Sequence, residues 1–207
     1  MEKISYALGL GIGQQLKSMN IENFDIKEFS RSIEDVMAGR DTDMTAREAQ
    51  VMLSEYFQKK EKEQAEENIA KGKAYLEENG KREGVVTTTS GLQYEVLTEG
   101  TGKSPKATDK VRCHYEGRLT DGSVFDSSYQ RGEPADFGLN QVIAGWTEGL
   151  QLVGKGGQIT LWIPAELGYG VYGSGSGAIG PNDALEFKVE LHDVQSTATP
   201  ESVPSAE

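Results

Sequence analysis

The sequence predicts an α+β chain: an all-helical N-terminal part, a long linking helix, and a C-terminal antiparallel half-barrel sheet wrapped on a short helix. Three observations predict it. Apolar residues recur at helical spacing up to about residue 84, and they alternate at strand spacing from about residue 89 to 194. One short helical segment, around Trp146, interrupts the strands. Runs of helices followed by runs of strands separate the two kinds of element along the chain.

The first helix carries Leu8, Ile12 and Leu16 at helical spacing, with Gly9 and Gly13 on a neighbouring face where another helix can approach closely. The second opens on Asp25, with Glu28 three residues later, presents Phe29, Ile33, Val36 and Met37, and stops at Gly39. The third opens on Thr45 with Glu48, a capping box, and runs without proline to about Asn79. Its start is amphipathic through Ala49, Met52, Leu53, Tyr56 and Phe57. Residues 58–68 are almost wholly polar, with Lys59/Glu63 and Lys62/Glu66 at i, i+4 spacing, and predict an exposed rod. Ile69, Ala70, Tyr75 and Leu76 restore an apolar side near the next domain.

In the second half, Leu92, Tyr94 and Val96 share one side of a strand, and Val111, Cys113 and Tyr115 one side of another. Asp121-Gly122 predicts a hairpin before Val124-Phe125. Ile159, Leu161 and Ile163 alternate up to Pro164, and Leu185, Phe187, Val189 and Leu191 alternate with Glu186, Lys188, Glu190 and His192. That last pattern has one buried and one wet face. The helix over residues 144–152 is too short to stand alone, so it must pack on the concave side of the sheet. A glycine-rich loop over residues 165–183 joins the last two strands, and loops of such length are often functional.

Composition removes several functions. The chain has 207 residues and a formal net charge of -12, which speaks against a nucleic-acid partner. No apolar run approaches the roughly 20 residues of a membrane span, so no membrane partner is expected. One cysteine, Cys113, and two histidines, His114 and His192, assemble no zinc site, and neither metal nor cofactor is expected. Cys113 is expected to be a small buried residue, and both histidines to face solvent. The opening residues lack a signal-peptide pattern, which predicts a cytoplasmic protein, or a periplasmic one where a leader has been removed. A hydrolase would need a nucleophile beside a base, and there is neither a Gly-x-Ser-x-Gly elbow nor an inward histidine. The glycine loop lacks the Gly-Lys-Ser/Thr ending of a phosphate cradle.

The expected boundaries are residues 1–44 for the helical domain, 45–83 for the linking helix, 84–194 for the sheet domain and 195–207 for a disordered tail. So small a helical domain buries little of its own surface. Its apolar stripes need a partner, and a second copy of the chain is the simplest, giving a homodimer through the N-terminal helices. The alternative folds these helices back on the sheet domain; the long polar stretch between the apolar parts favours the second copy.

Five blocks in the second half carry a resemblance: Val111-Arg112-Cys113-His114-Tyr115-Glu116-Gly117, Asp121-Gly122-Ser123-Val124-Phe125-Asp126-Ser127-Ser128, Val142-Ile143-Ala144-Gly145-Trp146, Ala165-Glu166-Leu167-Gly168-Tyr169-Gly170, and Leu185-Glu186-Phe187-Lys188-Val189-Glu190-Leu191. In this order they resemble an FKBP-type peptidyl-prolyl isomerase domain. The helical half, with Tyr6-Ala7-Leu8-Gly9-Leu10-Gly11-Ile12-Gly13 and Tyr75-Leu76-Glu77-Glu78-Asn79, resembles the N-terminal domain of dimeric bacterial FKBPs of the macrophage infectivity potentiator type.

The resemblance implies a peptidyl-prolyl cis-trans isomerase with associated chaperone activity. Its partners would be proline-containing peptides, unfolded proteins and the macrolide inhibitors of the family. A non-catalytic dimeric chaperone or proline-peptide binding module is the alternative. Rotation about an X-Pro bond meets a barrier of about 18–20 kcal/mol from amide conjugation. Lowering it requires only that a site bind the twisted amide better than the planar one. The resemblance makes Trp146 the floor under the proline ring and Tyr115, Phe125, Phe137, Val142, Ile143 and Phe187 the walls. Tyr169 would donate to a substrate carbonyl, as would the Ile143 amide, and Ile179 would cover the pocket. Asp126 would sit at the rim with Arg131 and Tyr115; alternatively it caps a local turn with Ser127 and Ser128. Two positions depart from the family pattern. Ala135 stands where some relatives place an aromatic, and residues 173–181 lack a consecutive proline pair, which predicts a looser loop.

Overall fold

The computed structural model describes residues 2–196. The expected tail lies almost entirely outside them. The chain divides into two compact units, Met1–Glu55 and Tyr56–Glu207. The division falls inside the long helix, whose buried residues Asn68, Gly72 and Asn79 all lie in the second unit.

The first unit holds α1 (Glu2–Ser18), α2 (Ile26–Ala38) and the first turns of α3 (Ala46–Asn79). Asp25 caps α2 by accepting from the Lys27 and Glu28 amides, and Gly39 closes it in the left-handed conformation at φ 63°. Thr45 and Glu48 form the expected capping box: the Glu48 amide donates to Thr45 Oγ1 at 3.2 Å and the Thr45 amide to Glu48 Oε2 at 2.8 Å.

In the second unit α3 buries Asn68, Gly72 and Asn79. The expected rod holds over residues 58–67, which are exposed or half-buried, and is corrected at Asn68. On the expected apolar side Tyr75 and Leu76 are half-buried while Ile69 and Ala70 are exposed, and a polar, small-residue stripe faces the sheet. The reason is hydrogen bonding. Asn79 Nδ2 donates to Gln93 Oε1 at 2.9 Å, Gln93 Nε2 donates to the Leu76 carbonyl at 2.9 Å, and the Tyr75 hydroxyl donates to Glu186 at 2.7 Å. Paired buried polar groups avoid the desolvation penalty that an orphan would carry.

The sheet comprises β1 (Val86–Thr87), β2 (Gln93–Thr98), β3 (Lys110–Leu119), β4 (Val124–Ser127), β5 (Ala135–Gly138), β6 (Gln158–Ile163) and β7 (Leu185–Gln195), and all its pairings are antiparallel. Its order is β1-β2-β6-β7-β3-β4, with β5 also on β3. The long β3 therefore pairs β7 along one edge, and β4 then β5 along the other. Between β4 and β5 the chain leaves the sheet as a one-turn helix, α4 (Ser128–Arg131), capped by Ser127 and closed by Gly132. Neither α4 nor β5 has a periodicity long enough to read from sequence. A bulge opposite Arg112 and Cys113 skips His192, so that Val194 rather than Asp193 returns to the core side.

One core fills the concave side, built from Leu92, Val111, Leu139, Leu150, Leu161, Leu185 and Leu191 with Trp146. Helix α5 (Ala144–Gly149) lies on this side and passes into a 3-10 turn over Leu150–Leu152. It packs close to β6 because Gly145 has no side chain; a Cβ there would lie 2.5 Å from Ile163 Cγ2. Cys113 is buried as expected, and desolvation pushes its thiol up to about 12. His192 is exposed as expected. His114 is half-buried, stacked at 4.5 Å on Tyr129.

Candidate active site

Alternation along β3 places Val111, Cys113, Tyr115 and Gly117 on the concave face. Gly117 has a specific reason to be there: a Cβ would meet the Phe125 ring at 2.5 Å and the Phe187 ring at 2.7 Å. Its absence lets those rings close together at 5.4 Å in an edge-to-face contact.

A cavity of about 510 Å³ opens on this face, lined by Tyr115, Phe125, Asp126, Phe137, Gln141, Val142, Ile143, Trp146, Tyr169 and Phe187. Seven elements and turns contribute, which is why residues far apart in sequence meet. Trp146, 4 % exposed, stands nearly perpendicular to three neighbours: Tyr115 at 5.2 Å, Phe137 at 5.3 Å and Phe187 at 5.2 Å. Such contacts add about 0.5–1.5 kcal/mol each beyond area burial, so the floor is fixed by its walls. Its indole Nε1 is buried without a hydrogen-bond partner among the described residues. Rings surround it, and a ring face is at best a weak acceptor.

The polar rim is a closed triangle. The Tyr115 hydroxyl donates to Asp126 Oδ2 at 2.5 Å, Arg131 Nη1 donates to Asp126 Oδ1, and Arg131 Nη2 donates to the Tyr115 hydroxyl at 2.7 Å. The guanidinium also lies over the Tyr115 ring at 5.5 Å. Burial works against the Asp126 charge, but the bonds from Tyr115 and Arg131 outweigh it and hold the carboxyl below its ordinary range. Burial first, then the bond to Asp126, push the Tyr115 phenol up to about 12. Asp126 does not cap the local turn; Ser127 does, accepting from the Gln130 amide. Ser128 Oγ instead fixes β3, accepting from the Tyr115 amide at 2.7 Å.

Two groups at the cavity remain uncommitted. The Tyr169 hydroxyl, on a residue 41 % exposed, and the Ile143 amide have no hydrogen-bond partner among the described residues. The Ile143 carbonyl is used by the first turn of α5, accepting from Trp146 N at 3.0 Å.

Most of the residues singled out from sequence thus line one cavity, and two do not. Arg131 stands behind the lining and acts on it through Asp126 and Tyr115. Ile179 is a core residue, 4 % exposed, and does not line the cavity. The loop that carries it is pinned rather than loose. Ser174 N donates to the Ile179 carbonyl at 2.9 Å and Ile179 N to Ser174 Oγ at 3.0 Å. Gln141 lines the cavity and was missed; its only sequence signal is its place just before Val142-Ile143. No cluster of histidine, cysteine or acidic residues among those described could hold a metal ion. Among the described residues no helix is long and apolar enough to cross a membrane.

Comparison with known proteins agrees with this geometry. Residues 101–192 match the FKBP-type peptidyl-prolyl cis-trans isomerase family, and residues 1–96 match the domain amino-terminal to FKBP-type peptidyl-prolyl isomerase. The chain is 42 % identical to a probable FKBP-type peptidyl-prolyl cis-trans isomerase FkpA of Neisseria meningitidis, over 99 % of this chain and 77 % of that protein. It is 41 % identical to the peptidyl-prolyl cis-trans isomerase Mip of Coxiella burnetii, over 94 % of this chain and 86 % of that one. The crystal structure of FkpA from Escherichia coli superposes with a TM-score of 0.75 at 38 % identity, covering 95 % of this chain and 97 % of that one. The chain belongs to the FKBP-type peptidyl-prolyl cis-trans isomerases, in the form that carries an FKBP amino-terminal domain.

Proposed function

We propose that the cavity accelerates rotation about X-Pro bonds by holding the twisted amide, with Trp146 under the proline ring and Tyr115, Phe125, Phe137, Val142, Ile143 and Phe187 around it. One observation carries these roles: a ring-walled cavity whose charged group, Asp126, is already ion-paired, beside two uncommitted donors. A planar amide is stabilised by charge separation, which apolar walls support poorly. A twisted amide is less delocalised and loses less on entering. The Tyr169 hydroxyl and the Ile143 amide hold substrate carbonyls as rotation proceeds. Asp126, fixed by Tyr115 and Arg131, presents a constant field near the turning bond. No nucleophile or proton transfer enters this scheme, which needs only preferential binding of the transition state.

The test is the exchange rate of an X-Pro tetrapeptide, followed by NMR with catalytic amounts of protein. Acceleration that a macrolide inhibitor of the family abolishes supports these assignments. No acceleration, together with suppressed aggregation of an unfolded client, would support a binding module instead.

The same proposal includes a homodimer built through the first unit, acting on unfolded chains. Its support is apolar surface. Leu8, Leu10 and Ile12 of α1 are exposed, and a groove of about 650 Å³ is lined in part by Ile33, Val36, Met37, Met44, Met52 and Leu53. Exposed apolar patches of this kind mark interaction sites. Sedimentation giving a monomer at micromolar concentration would remove the dimer from the proposal.

A further inference from the structure

The stripe by which α3 meets the sheet domain also reaches the loop beside the cavity. Asn68 is 7 % exposed, deep for an amide side chain. Its Oδ1 accepts from Gln64 Nε2 at 2.8 Å, and its Nδ2 donates to the Pro181 carbonyl at 2.9 Å. The next amide along the chain, Asn182 N, donates to the Gly170 carbonyl at 2.8 Å. Pro181 O and Asn182 N belong to one peptide group. That group is therefore held at both ends, by the helix on its oxygen and by the turn following Tyr169 on its nitrogen.

The local sequence is fitted to this clamp. Asn182 adopts the left-handed conformation, φ 57°, which asparagine tolerates better than most residues. Gly180 leaves room for the helix side chain; a Cβ there would lie 3.1 Å from Asn68 Nδ2. Asp183 Oδ2 accepts from the Gly180 amide at 2.7 Å and closes the turn. Hydrogen bonds that share a peptide group polarise one another, so drawing on the oxygen strengthens the donor at the nitrogen.

We propose that Asn68 is a positioning residue for the isomerase site: through the Pro181–Asn182 peptide it fixes the Gly170 turn and, with it, the Tyr169 hydroxyl. The coupling rests on the role given to Tyr169 above. It makes the linking helix part of the catalytic apparatus without any contact between Asn68 and substrate. A misplaced Tyr169 hydroxyl weakens a bond realised as the amide twists, so the loss falls on kcat rather than KM.

The experiment measures tetrapeptide isomerisation in the full chain for Asn68→Ala, Tyr169→Phe and the double variant, with hydrogen exchange of the Asn182 amide as a second readout. We expect Asn68→Ala to lower kcat by about fivefold, the worth of one hydrogen bond, with KM little changed. It should add nothing to Tyr169→Phe, and the Asn182 amide should exchange faster. Asn68→Leu, branched at the same carbon, keeps the buried position filled but cannot donate to Pro181, and should show the same loss should the alanine variant fold poorly. Gln64→Ala, which spares the Pro181 bond, should stay near the wild-type rate. An equal further loss in the Tyr169→Phe background, or an unchanged kcat in both Asn68 variants, overturns the coupling alone. A wild-type rate for Tyr169→Phe overturns the role of Tyr169 and the coupling together.

Discussion

The two units treat apolar side chains in opposite ways. In Tyr56–Glu207, Leu161, Leu185 and Leu191 of the sheet and Trp146 are sealed in one core. In Met1–Glu55 most of the residues that made its helices legible stay in solvent, with Met37 82 % exposed and no residue of α2 buried. Helical periodicity alone therefore identifies an apolar face without identifying what covers it. A sheet with two-residue alternation closes on its own short helix, whereas two short helices and a helix start enclose too little volume to do so.

Substitutions should separate the units. The largest effect is expected at the cavity floor. Trp146→Leu should lower kcat/KM at least about tenfold, because the walls lose the ring that fixes them. The sedimentation of the protein should not change; a change in association would mean that the units are not independent in this respect. Next, Met52→Glu with Leu53→Glu places two charges on the exposed groove of the first unit. The proposed dimer should dissociate while tetrapeptide turnover stays within about twofold, since burying unpaired charge is prohibitive. A variant that still sediments as a dimer would locate the interface elsewhere.

A smaller effect is expected for Gly117→Ala, where the added methyl would push against Phe125 and Phe187. Overpacking of this kind costs about 1–3 kcal/mol, measurable as a lower unfolding midpoint in urea. The smallest is the pH response of the rim. Asp126 has its pKa lowered in the folded protein, so its stabilisation is present at neutral pH and is lost as pH falls through the depressed value, below about 4. Tyr115 has its pKa raised, so its contribution fades as pH rises from about 10, the ordinary phenol value, toward the folded value of about 12. Between these limits turnover should be flat. A steep change near neutrality would implicate a histidine, and none lines the cavity.

The sheet and the ring cage were legible because both are written in apolar residues. Alternation fixed the face of Tyr115 and Phe187, and five ordered blocks brought Trp146 and Tyr169 to the same place. What escaped was polar. Ala65, Asn68, Gly72, Tyr75, Leu76 and Asn79 recur at helical spacing. Tyr75 and Leu76 were expected on an apolar side, but Asn68 was read as the end of a solvated rod, and Gly72 and Asn79 carry no hydrophobic signal. Gln141 was hidden in the same way beside Val142 and Ile143. Partners for buried amides come from distant segments, such as Pro181 for Asn68, and no local pattern announces them. Ile179 was placed over the cavity by the family resemblance, but it is a core residue, in a loop tied by the Ser174 hydrogen bonds.

The orphaned indole nitrogen gives the protein an optical reporter. The chain has two tryptophans. Trp162 donates to Glu186 at 3.1 Å and lies under the Arg82 guanidinium, outside the cavity. Trp146 sits buried at the cavity floor, its nitrogen without a hydrogen-bond partner among the described residues. An apolar, unpaired indole emits at shorter wavelength than one bound to a carboxylate, so the two contributions separate in the emission spectrum. A peptide or inhibitor settling on the floor perturbs the blue component and leaves the other as an internal standard. Occupancy can then be followed in the unlabelled protein.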